Sequence, residues 1–299
     1  MSINSNFSEM KLELERCQML IEEELSGYFS QKVSYKTLLE AMRYSLLGGG
    51  KRIRAVLCLK FCEAASGNIN EAVEGACALE MLHAYTLIHD DLPCMDNDDF
   101  RRGKPSNHIK YDVFTATLAG DALQAAAFET LLSSDLPAET VVEMGRVFAE
   151  AVGPYGICAG QYLDISGEGK NHTETELKEI HSLKTSALIS ASAKLGVLAA
   201  GATAEQITAA EKYSKALGLA FQVRDDLLDI TSTPEKLGKP IGSDNKQGKT
   251  TFASLYGEEK CLQIIKDETS KAVRAVSGGV FEDPGFLVWF AGMLENRAG

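Results

Sequence analysis

Apolar residues recur every three or four positions through most of the chain, which is the spacing that lines one face of an α-helix. These stretches are rich in Ala, Leu, Glu and Lys, which lose little conformational entropy in a helix. No strand-like alternation of useful length occurs. The pattern therefore predicts an all-α protein with helices over residues 8–27, 35–47, 53–66, 70–90, 111–134, 138–152, 174–199, 204–230 and 258–276.

The connections between these helices carry glycine and proline, which interrupt regular structure. They include Gly48–Gly50, Gly103–Pro105, Gly153–Pro154 and Gly238–Pro240. No internal repeat, low-complexity linker or shift in composition marks a domain boundary. The simplest interpretation is one large helical bundle that spans residues 1–299 as a single domain.

Composition narrows the possible partners and the compartment. A net charge of −12 argues against nucleic acid, because binding to nucleic acid needs a clustered basic surface. The seven cysteines form no CxxC pair and no Cys/His spacing suited to zinc, and free thiols fit a reducing compartment. The first residues do not resemble a signal peptide, and no apolar run is long enough to be a transmembrane segment. We therefore expect the protein to be cytoplasmic.

One aspartate cluster lies on a regular amphipathic pattern, in FQVRDDLLDI. Asp225 and Asp229 are four residues apart, so about 40° separates them around a helix axis and their carboxylates share one face. The neighbouring positions are apolar nearly all round, which indicates a largely buried helix. A buried carboxylate needs a partner, so metal binding is favoured over a solvated acidic face.

The other cluster, HDDLPCMDNDDFRRGKPSNH, is irregular. Asp90 and Asp96 would lie about 120° apart on an uninterrupted helix. Pro93 cannot donate a backbone hydrogen bond and should distort the chain there, so a bulge could bring Asp96 back towards Asp90. Arg101 and Arg102 follow directly. Carboxylates that hold Mg²⁺, followed by guanidinium groups that bind phosphate oxygens, suit a metal-bound diphosphate; simple charge balance is the alternative.

Further cations occur where the predicted helices begin or end. GGGKRIR places Lys51, Arg52 and Arg54 after three glycines, without the spacing of a P-loop. Other candidates are Lys184–Thr185, Lys239 and Lys249–Thr251. Each alone would more often be a surface residue, but together with two acidic clusters they predict a site for anionic diphosphate esters.

The ordered motifs resemble a known family. They are GGKRIR (49–54), HAYTLIHDDLPCMDNDDFRRGKPSNH (83–108), LAGDAL (118–123), GQYLDI (160–165), KTSALI (184–189), FQVRDDLLD (221–229), LGKPIGSD (237–244) and GKTT (248–251). This series is similar to the trans-prenyltransferases, which are isoprenyl diphosphate synthases, and more narrowly to bacterial short-chain farnesyl diphosphate synthases.

The resemblance implies an all-α bundle of the isoprenoid synthase type, with the active-site cavity between helices. It implies a homodimer that condenses an allylic diphosphate with isopentenyl diphosphate, using three Mg²⁺ ions, with Mn²⁺ as a possible substitute. By motif, the metal ligands would be Asp90, Asp91, Asp96, Asp225 and Asp229, with Gln161 near the metals. Residues that bind the allylic diphosphate would be Arg101, Lys184, Lys239 and Lys249. Residues that bind isopentenyl diphosphate would be Lys51, Arg54, His83 and Arg102, while Thr185 and Gln222 would face the carbocation.

The resemblance also bears on product length. Tyr85 and Thr86 lie about one turn before Asp90, where a growing chain would descend. An aromatic residue at Tyr85, together with the Leu92–Pro93 insertion, resembles farnesyl synthases, so we expect a C15 product, with C20 and then C10 as alternatives. A terpene cyclase and an inactive partner subunit are the competing hypotheses. The chain ends in ENRAG, which leaves Arg297 as the single candidate for a basic tail over the site.

Overall fold

The computed structural model describes residues 3–231 and 250–296. Its helices are α1 (Ile3–Gly27), α2 (Lys36–Leu46), α3 (Ile53–Ala64), α4 (Val73–Asp90), α5 (Asn107–Lys110), α6 (Val113–Leu132), α7 (Ala138–Val152), α8 (Ile157–Ser166), α9 (Glu174–His181), α10 (Ala187–Ala199), α11 (Ala204–Thr231), α12 (Phe252–Val276) and α13 (Gly285–Glu295). A 3₁₀ turn, Ile69–Ala72, precedes α4. The predicted all-α class is confirmed.

The described strands, β1 (Phe100–Arg101) and β2 (Lys104–Pro105), form a two-residue antiparallel hairpin. The hairpin lies between α4 and α5 and carries the paired arginines. Arg102 and Gly103 at its tip have φ angles of 53° and 73°. The left-handed backbone at this tip turns the chain sharply after the aspartates.

α4 lies at the centre of the bundle. It packs against α3 and α6, while α10 packs against α3, α7 and α11. Most of the side chains of α4 are buried, among them Leu79, Met81 and Leu82. A helix that is apolar on nearly every side is a core helix, and its end is therefore held firmly in position. That end is Asp90.

The sequence pattern missed the four-residue helix α5 and two longer helices, α8 and α13, the last two for different reasons. α8 follows the breakers Gly153 and Pro154, and its short sequence ICAGQYLDIS has no apolar stripe. α13 reads GFLVWFAGMLE and is apolar nearly throughout, so it also has no periodicity. Residues 174–199 are helical as predicted, but a π-helical turn, Ser182–Ser186, separates α9 from α10.

The start of α12 differs from the prediction. The helix begins at Phe252, where the Thr251 side chain accepts a hydrogen bond from the Ser254 N–H in a capping box. Gly257 interrupts it with a φ of 72°. Phe252 packs with Leu177, Val223 and Leu227 in a second, smaller core that joins α9, α11 and α12.

Among the described residues, no helix has both the length and the apolar character needed to cross a bilayer. The candidate residues Lys239, Lys249 and Arg297 lie outside the described residues, and so does most of the LGKPIGSD–GKTT region.

Candidate active site

The first aspartate cluster is built where α4 ends. The Asp91 N–H still donates to the Leu87 carbonyl at 3.2 Å, but the chain then turns, and the Asp96 N–H donates to the Asp90 carbonyl at 2.9 Å. The sequence predicted that Pro93 would bring Asp96 back towards Asp90. The structure confirms this return, although the helix stops at Asp90 instead of continuing through a bulge.

The second aspartate of this cluster is paired within the protein. Asp91 is buried, and its Oδ1 accepts a hydrogen bond of 2.9 Å from Arg101 Nε and another from Arg101 Nη2. Arg101 also lies 3.4 Å from Asp98 Oδ2. Burial would lower the pKa of Arg101, but Asp91, Asp98 and Asp90 together raise it above its usual value, so the guanidinium stays charged. The pair fixes the β1–β2 hairpin against the end of α4.

Asp90 is strongly desolvated. Burial raises the pKa of its carboxyl to about 6, Lys184 opposes the rise, and Asp96 adds to it. Lys184 lies in the π-helical turn and donates to Asp164 Oδ2 at 2.5 Å. Burial would lower the pKa of Lys184, but Asp164, Asp90 and Asp96 raise it above its usual value. Lys184 therefore interacts with the first aspartate cluster.

α11 carries the second cluster. Asp225 is half-buried, while Asp226 and Asp229 are 3% and 2% exposed. The regular one-face arrangement predicted for Asp225 and Asp229 is confirmed by the unbroken helix that carries them.

Asp226, which we did not single out from the sequence, organises this face of α11. It accepts a hydrogen bond from Gln222 Nε2 at 2.9 Å and another from the Phe252 N–H, also at 2.9 Å, at the start of α12. Gln222 in turn accepts a hydrogen bond of 2.8 Å from the Thr185 hydroxyl. Thr185 and Gln222, predicted to act together, therefore lie in direct contact.

A basic pocket lies beside the first cluster. Gly50 has a φ of 133°, and a Cβ there would approach the Arg102 guanidinium carbon at 2.9 Å. Arg102 also donates to the Gly49 carbonyl. The missing side chain at Gly50 therefore lets GGGKRIR and the second hairpin arginine come together, although 52 positions separate Gly50 from Arg102 in the sequence.

Arg54 and His83 complete the pocket. Burial and Arg102 lower the pKa of Arg54, while Glu80 and Asp225 raise it. Arg54 Nε is buried without a hydrogen-bond partner among the described residues. Burial, Arg54 and Arg102 hold the pKa of His83 well below 6.5, so its imidazole is neutral. Because Asp225 raises the pKa of Arg54, the second aspartate cluster is close enough to interact with this pocket.

Not every cation in GGGKRIR points to this pocket. Arg52 is 4% exposed, and it bonds Glu22 at 2.7 Å, Glu80 at 3.1 Å and the Leu46 carbonyl at 2.8 Å. It joins α1, α2 and α4 and has a structural role. Lys51 beside it is exposed. The spacing of the cations alone did not separate these two, because both follow the same glycines, although the family resemblance assigned a substrate role to Lys51 and not to Arg52.

Gln161 lies on α8 and is 9% exposed, yet neither its amide oxygen nor its amide nitrogen has a hydrogen-bond partner among the described residues. A buried, unsatisfied amide costs about 1–3 kcal/mol, so it is typical of a site that is completed by a ligand. Gly160 before it lies against the Lys184 backbone, where a Cβ would come within 2.7 Å of the Lys184 Cα. This close packing joins α8 to the π-helical turn.

The two residues assigned to product length lie one turn below Asp90. Tyr85 is 9% exposed, and its hydroxyl lies 4.0 Å from Cys158 Sγ. Burial raises the pKa of Tyr85. Thr86 is also buried and donates to the His83 carbonyl at 2.8 Å. Tyr85 therefore presents the larger side chain of the two at this depth.

The carboxylates of the first cluster suit a hard divalent cation, but they do not form a complete metal site by themselves. Asp90 and Asp96 are neighbouring oxygen donors in a desolvated place, as Mg²⁺ requires. In the part of the chain that the structure describes, no group of three or more His, Cys, Asp or Glu side chains could hold a metal ion by itself. Mg²⁺ is commonly bound by one or two carboxylates together with substrate phosphates and water, so this arrangement fits binding with the diphosphate.

Paired carboxylates and a neighbouring basic pocket, inside a helical bundle, suit the binding of diphosphate esters. The chain belongs to the polyprenyl synthetase family, whose model matches residues 35–277. It is therefore a prenyltransferase of isoprene biosynthesis, as the ordered motifs indicated.

Named relatives differ in their products. A geranylgeranyl diphosphate synthase of Cyanophora paradoxa is 48% identical over 242 residues, which are 79% of this chain and 81% of the relative. The Arabidopsis thaliana heterodimeric geranylgeranyl pyrophosphate synthase large subunit 2 is 42% identical over 261 residues, covering 86% and 69%. A crystal structure of an FPP/GFPP synthase from Zymomonas mobilis superposes with a TM-score of 0.86 at 31% identity, covering 97% and 99%.

These names support the geranylgeranyl alternative better than the farnesyl product expected from Tyr85.

Proposed function

We propose that this chain condenses dimethylallyl or longer allylic diphosphates with isopentenyl diphosphate in the presence of Mg²⁺, and releases diphosphate. One observation carries the proposal: the Lys184 ammonium interacts electrostatically with Asp90 and Asp96, and the Arg54 guanidinium of the basic pocket interacts with Asp225. Both aspartate clusters and both groups of cations thus border one site. Mg²⁺ held there would stabilise the negative charge that develops on the departing diphosphate.

The residues of the chain divide the remaining work. Asp90, Asp96, Asp225 and Asp229 would hold the metal, with Asp91 as a further predicted ligand that also anchors Arg101. Arg101 and Lys184 would bind the allylic diphosphate, together with Lys239 and Lys249 of the undescribed segment. Lys51, Arg54, Arg102 and neutral His83 would bind isopentenyl diphosphate.

Thr185 and Gln222 would face the allylic cation. Gln222 donates a hydrogen bond from its amide nitrogen to Asp226, and its amide oxygen accepts one from the Thr185 hydroxyl. Oxygen dipoles that are held facing a cation stabilise it. The buried surroundings of Asp226 help to exclude water from the reaction.

For the product we propose geranylgeranyl diphosphate, on the names of the curated relatives. Farnesyl diphosphate is the second candidate, favoured by the buried ring of Tyr85 one turn below Asp90. Radiochromatography of products made from labelled isopentenyl diphosphate and dimethylallyl diphosphate distinguishes C20 from C15. If no diphosphate is released with Mg²⁺ and both substrates, the synthase proposal is wrong.

The same assay separates the other classes. A terpene cyclase would form a cyclic hydrocarbon from farnesyl diphosphate alone. An inactive partner subunit would be silent by itself and would alter the product of an active synthase. We expect neither outcome, because the described motifs retain their aspartates, arginines and Lys184.

We also propose that the chain is a homodimer of the cytoplasm. Val113, Phe114 and Leu118 on α6 are 49%, 69% and 50% exposed, an apolar face that a second copy would cover. Light scattering after gel filtration should give twice the mass of 32.3 kDa. Phe114→Asp should shift the protein towards monomer, and a wild-type monomer would contradict the proposal.

A further inference from the structure

Two contacts hold the ring of Tyr85 in place. The His89 ring meets it edge-on, with 5.0 Å between the ring centroids and 81° between the ring planes. On the other side, the Tyr85 hydroxyl lies 4.0 Å from Cys158 Sγ on α8. Because aromatic pairs prefer such edge-to-face packing, His89 limits where the Tyr85 ring can move.

His89 is itself fixed against α6. Its Nε2 lies 3.0 Å from the Thr117 carbonyl oxygen and 3.8 Å from Asp121 Oδ1. These partners hold the imidazole across the α6 backbone at Gly120. Thr117 and Asp121 are four residues apart on that helix, so they clamp the ring from one side.

Gly120 provides the space for this arrangement. A Cβ there would overlap His89 Nε2 and Cδ2 and would lie 3.1 Å from Cε1. Gly120 has a helical backbone and no positive φ, so its backbone conformation does not require glycine. In a helix interior, glycine costs about 1 kcal/mol relative to alanine. Its presence here is explained by the position of the His89 ring.

We propose that His89 and Gly120 are specificity-determining residues that set the depth of the product pocket through Tyr85. Gly120 lets His89 lie flat on α6, and His89 supports the Tyr85 ring across the path of the growing chain. This inference rests on the proposed prenyl diphosphate synthesis and on the expectation that Tyr85, one turn below Asp90, forms the floor of the product pocket, whether the wild-type product is C20 or C15. Neither residue touches the diphosphates in this scheme; both act on the length of the product.

The scheme predicts opposite effects for two substitutions. His89→Ala removes the support, so Tyr85 can tilt into the space, and the main product should lengthen by one isoprene unit. Gly120→Ala pushes the His89 ring off α6 towards Tyr85, so the pocket becomes shallower and the main product should shorten by one unit. A general loss of stability would change the yield but not shift the product in opposite directions.

The experiment compares product distributions by chromatography for the wild type, His89→Ala, Gly120→Ala and the double variant. In the double variant, the new methyl group meets no ring, so we expect the distribution of His89→Ala. His89→Phe keeps a ring at the same place and should retain the wild-type length. Gly145→Ala on α7 is the matched control, because its Cβ would meet only Leu132 Cδ2, at 3.7 Å.

The outcomes separate this inference from the proposed function. If the wild type makes no prenyl diphosphate, the proposed function fails. If it does, and Tyr85→Ala lengthens the product while His89→Ala leaves it unchanged, the inference about His89 is overturned. It is equally overturned if Gly120→Ala has the same effect with and without His89. Should Gly120→Ala fold poorly, the contrast between His89→Ala and His89→Phe remains decisive.

Discussion

The two aspartate clusters reach similar chemistry from different local structures. The first lies at the broken end of α4, where a turn returns Asp96 to Asp90. The second lies on the uninterrupted helix α11. Yet in each cluster the middle carboxylate is committed to the protein: Asp91 to Arg101, and Asp226 to Gln222 and the start of α12.

The comparison shows that adjacent aspartates in a DD pair can divide two tasks. A carboxylate bonded to a guanidinium or to backbone N–H groups is stabilised in the folded state, whereas a desolvated one beside other carboxylates costs free energy until a cation arrives. Asp90 is of the second kind, since burial raises its pKa to about 6. The stability of the fold and the affinity for metal thus come from neighbouring positions.

The largest effect should follow from Asp90→Asn. We expect turnover to fall by about 10²–10³-fold, because the carboxylate that would hold the metal against the leaving diphosphate is lost. Diphosphate release at saturating substrate measures it. The midpoint of thermal unfolding without metal should not fall, since a buried charge is removed. Turnover within twofold of wild type would break the proposed role of Asp90.

Asp226→Asn tests the kind of carboxylate that is hydrogen-bonded within the protein. The amide cannot accept both present hydrogen bonds, so the free energy of unfolding should fall by about 1–3 kcal/mol in urea. Asp135→Asn on the exposed surface is the control and should change it little. An Asp226 variant as stable as the control would mean that this carboxylate is not the structural member of its cluster.

Gly50→Ala sharpens the account of the basic pocket. Its Cβ would lie 2.9 Å from the Arg102 guanidinium carbon, so we expect KM for isopentenyl diphosphate to rise about tenfold, or about 1.4 kcal/mol. Gly49→Ala is a close control, because Gly49 also has a positive φ, 87°, but no atom within 4 Å of its Cβ. If both substitutions raise KM equally, backbone strain alone explains the effect, and the contact between Gly50 and Arg102 is not needed for binding.

The smallest effect concerns pH. Burial and the arginines hold the pKa of His83 below 6.5 in the folded state, so the unfolded chain binds more protons once the pH falls below 6.5. Stability should therefore decrease on acidification, by about 1 kcal/mol between pH 6.5 and 5.5 from this residue alone. His83→Gln should remove that part of the dependence in urea unfolding curves. An unchanged pH profile would show that His83 is not held neutral.

Much of the site could be predicted because its chemistry depends on residue type and short spacing. Pro93 predicted the turn that returns Asp96 towards Asp90, and the four-residue spacing of Asp225 and Asp229 predicted that they share one face of a helix. Asp164, the partner of Lys184, could have been singled out from the sequence, because it lies in GQYLDI, one of the motifs that carry the family resemblance. Asp226 was harder to assign, because nothing local distinguishes it from Asp225. Its role depends on α12, which begins 26 positions later.

The sequence by itself determined the helical class, the acidic clusters and the family, because periodicity, spacing and ordered motifs are properties of the chain alone. Tertiary structure decided which charged side chains are buried in ion pairs and which are exposed. It paired Arg52 with Glu22 and Glu80 while leaving Lys51 exposed, and it joined Gly50 to Arg102 and Tyr85 to His89. Burial and partnership set the free energy of a charge, and they arise only when distant segments pack together.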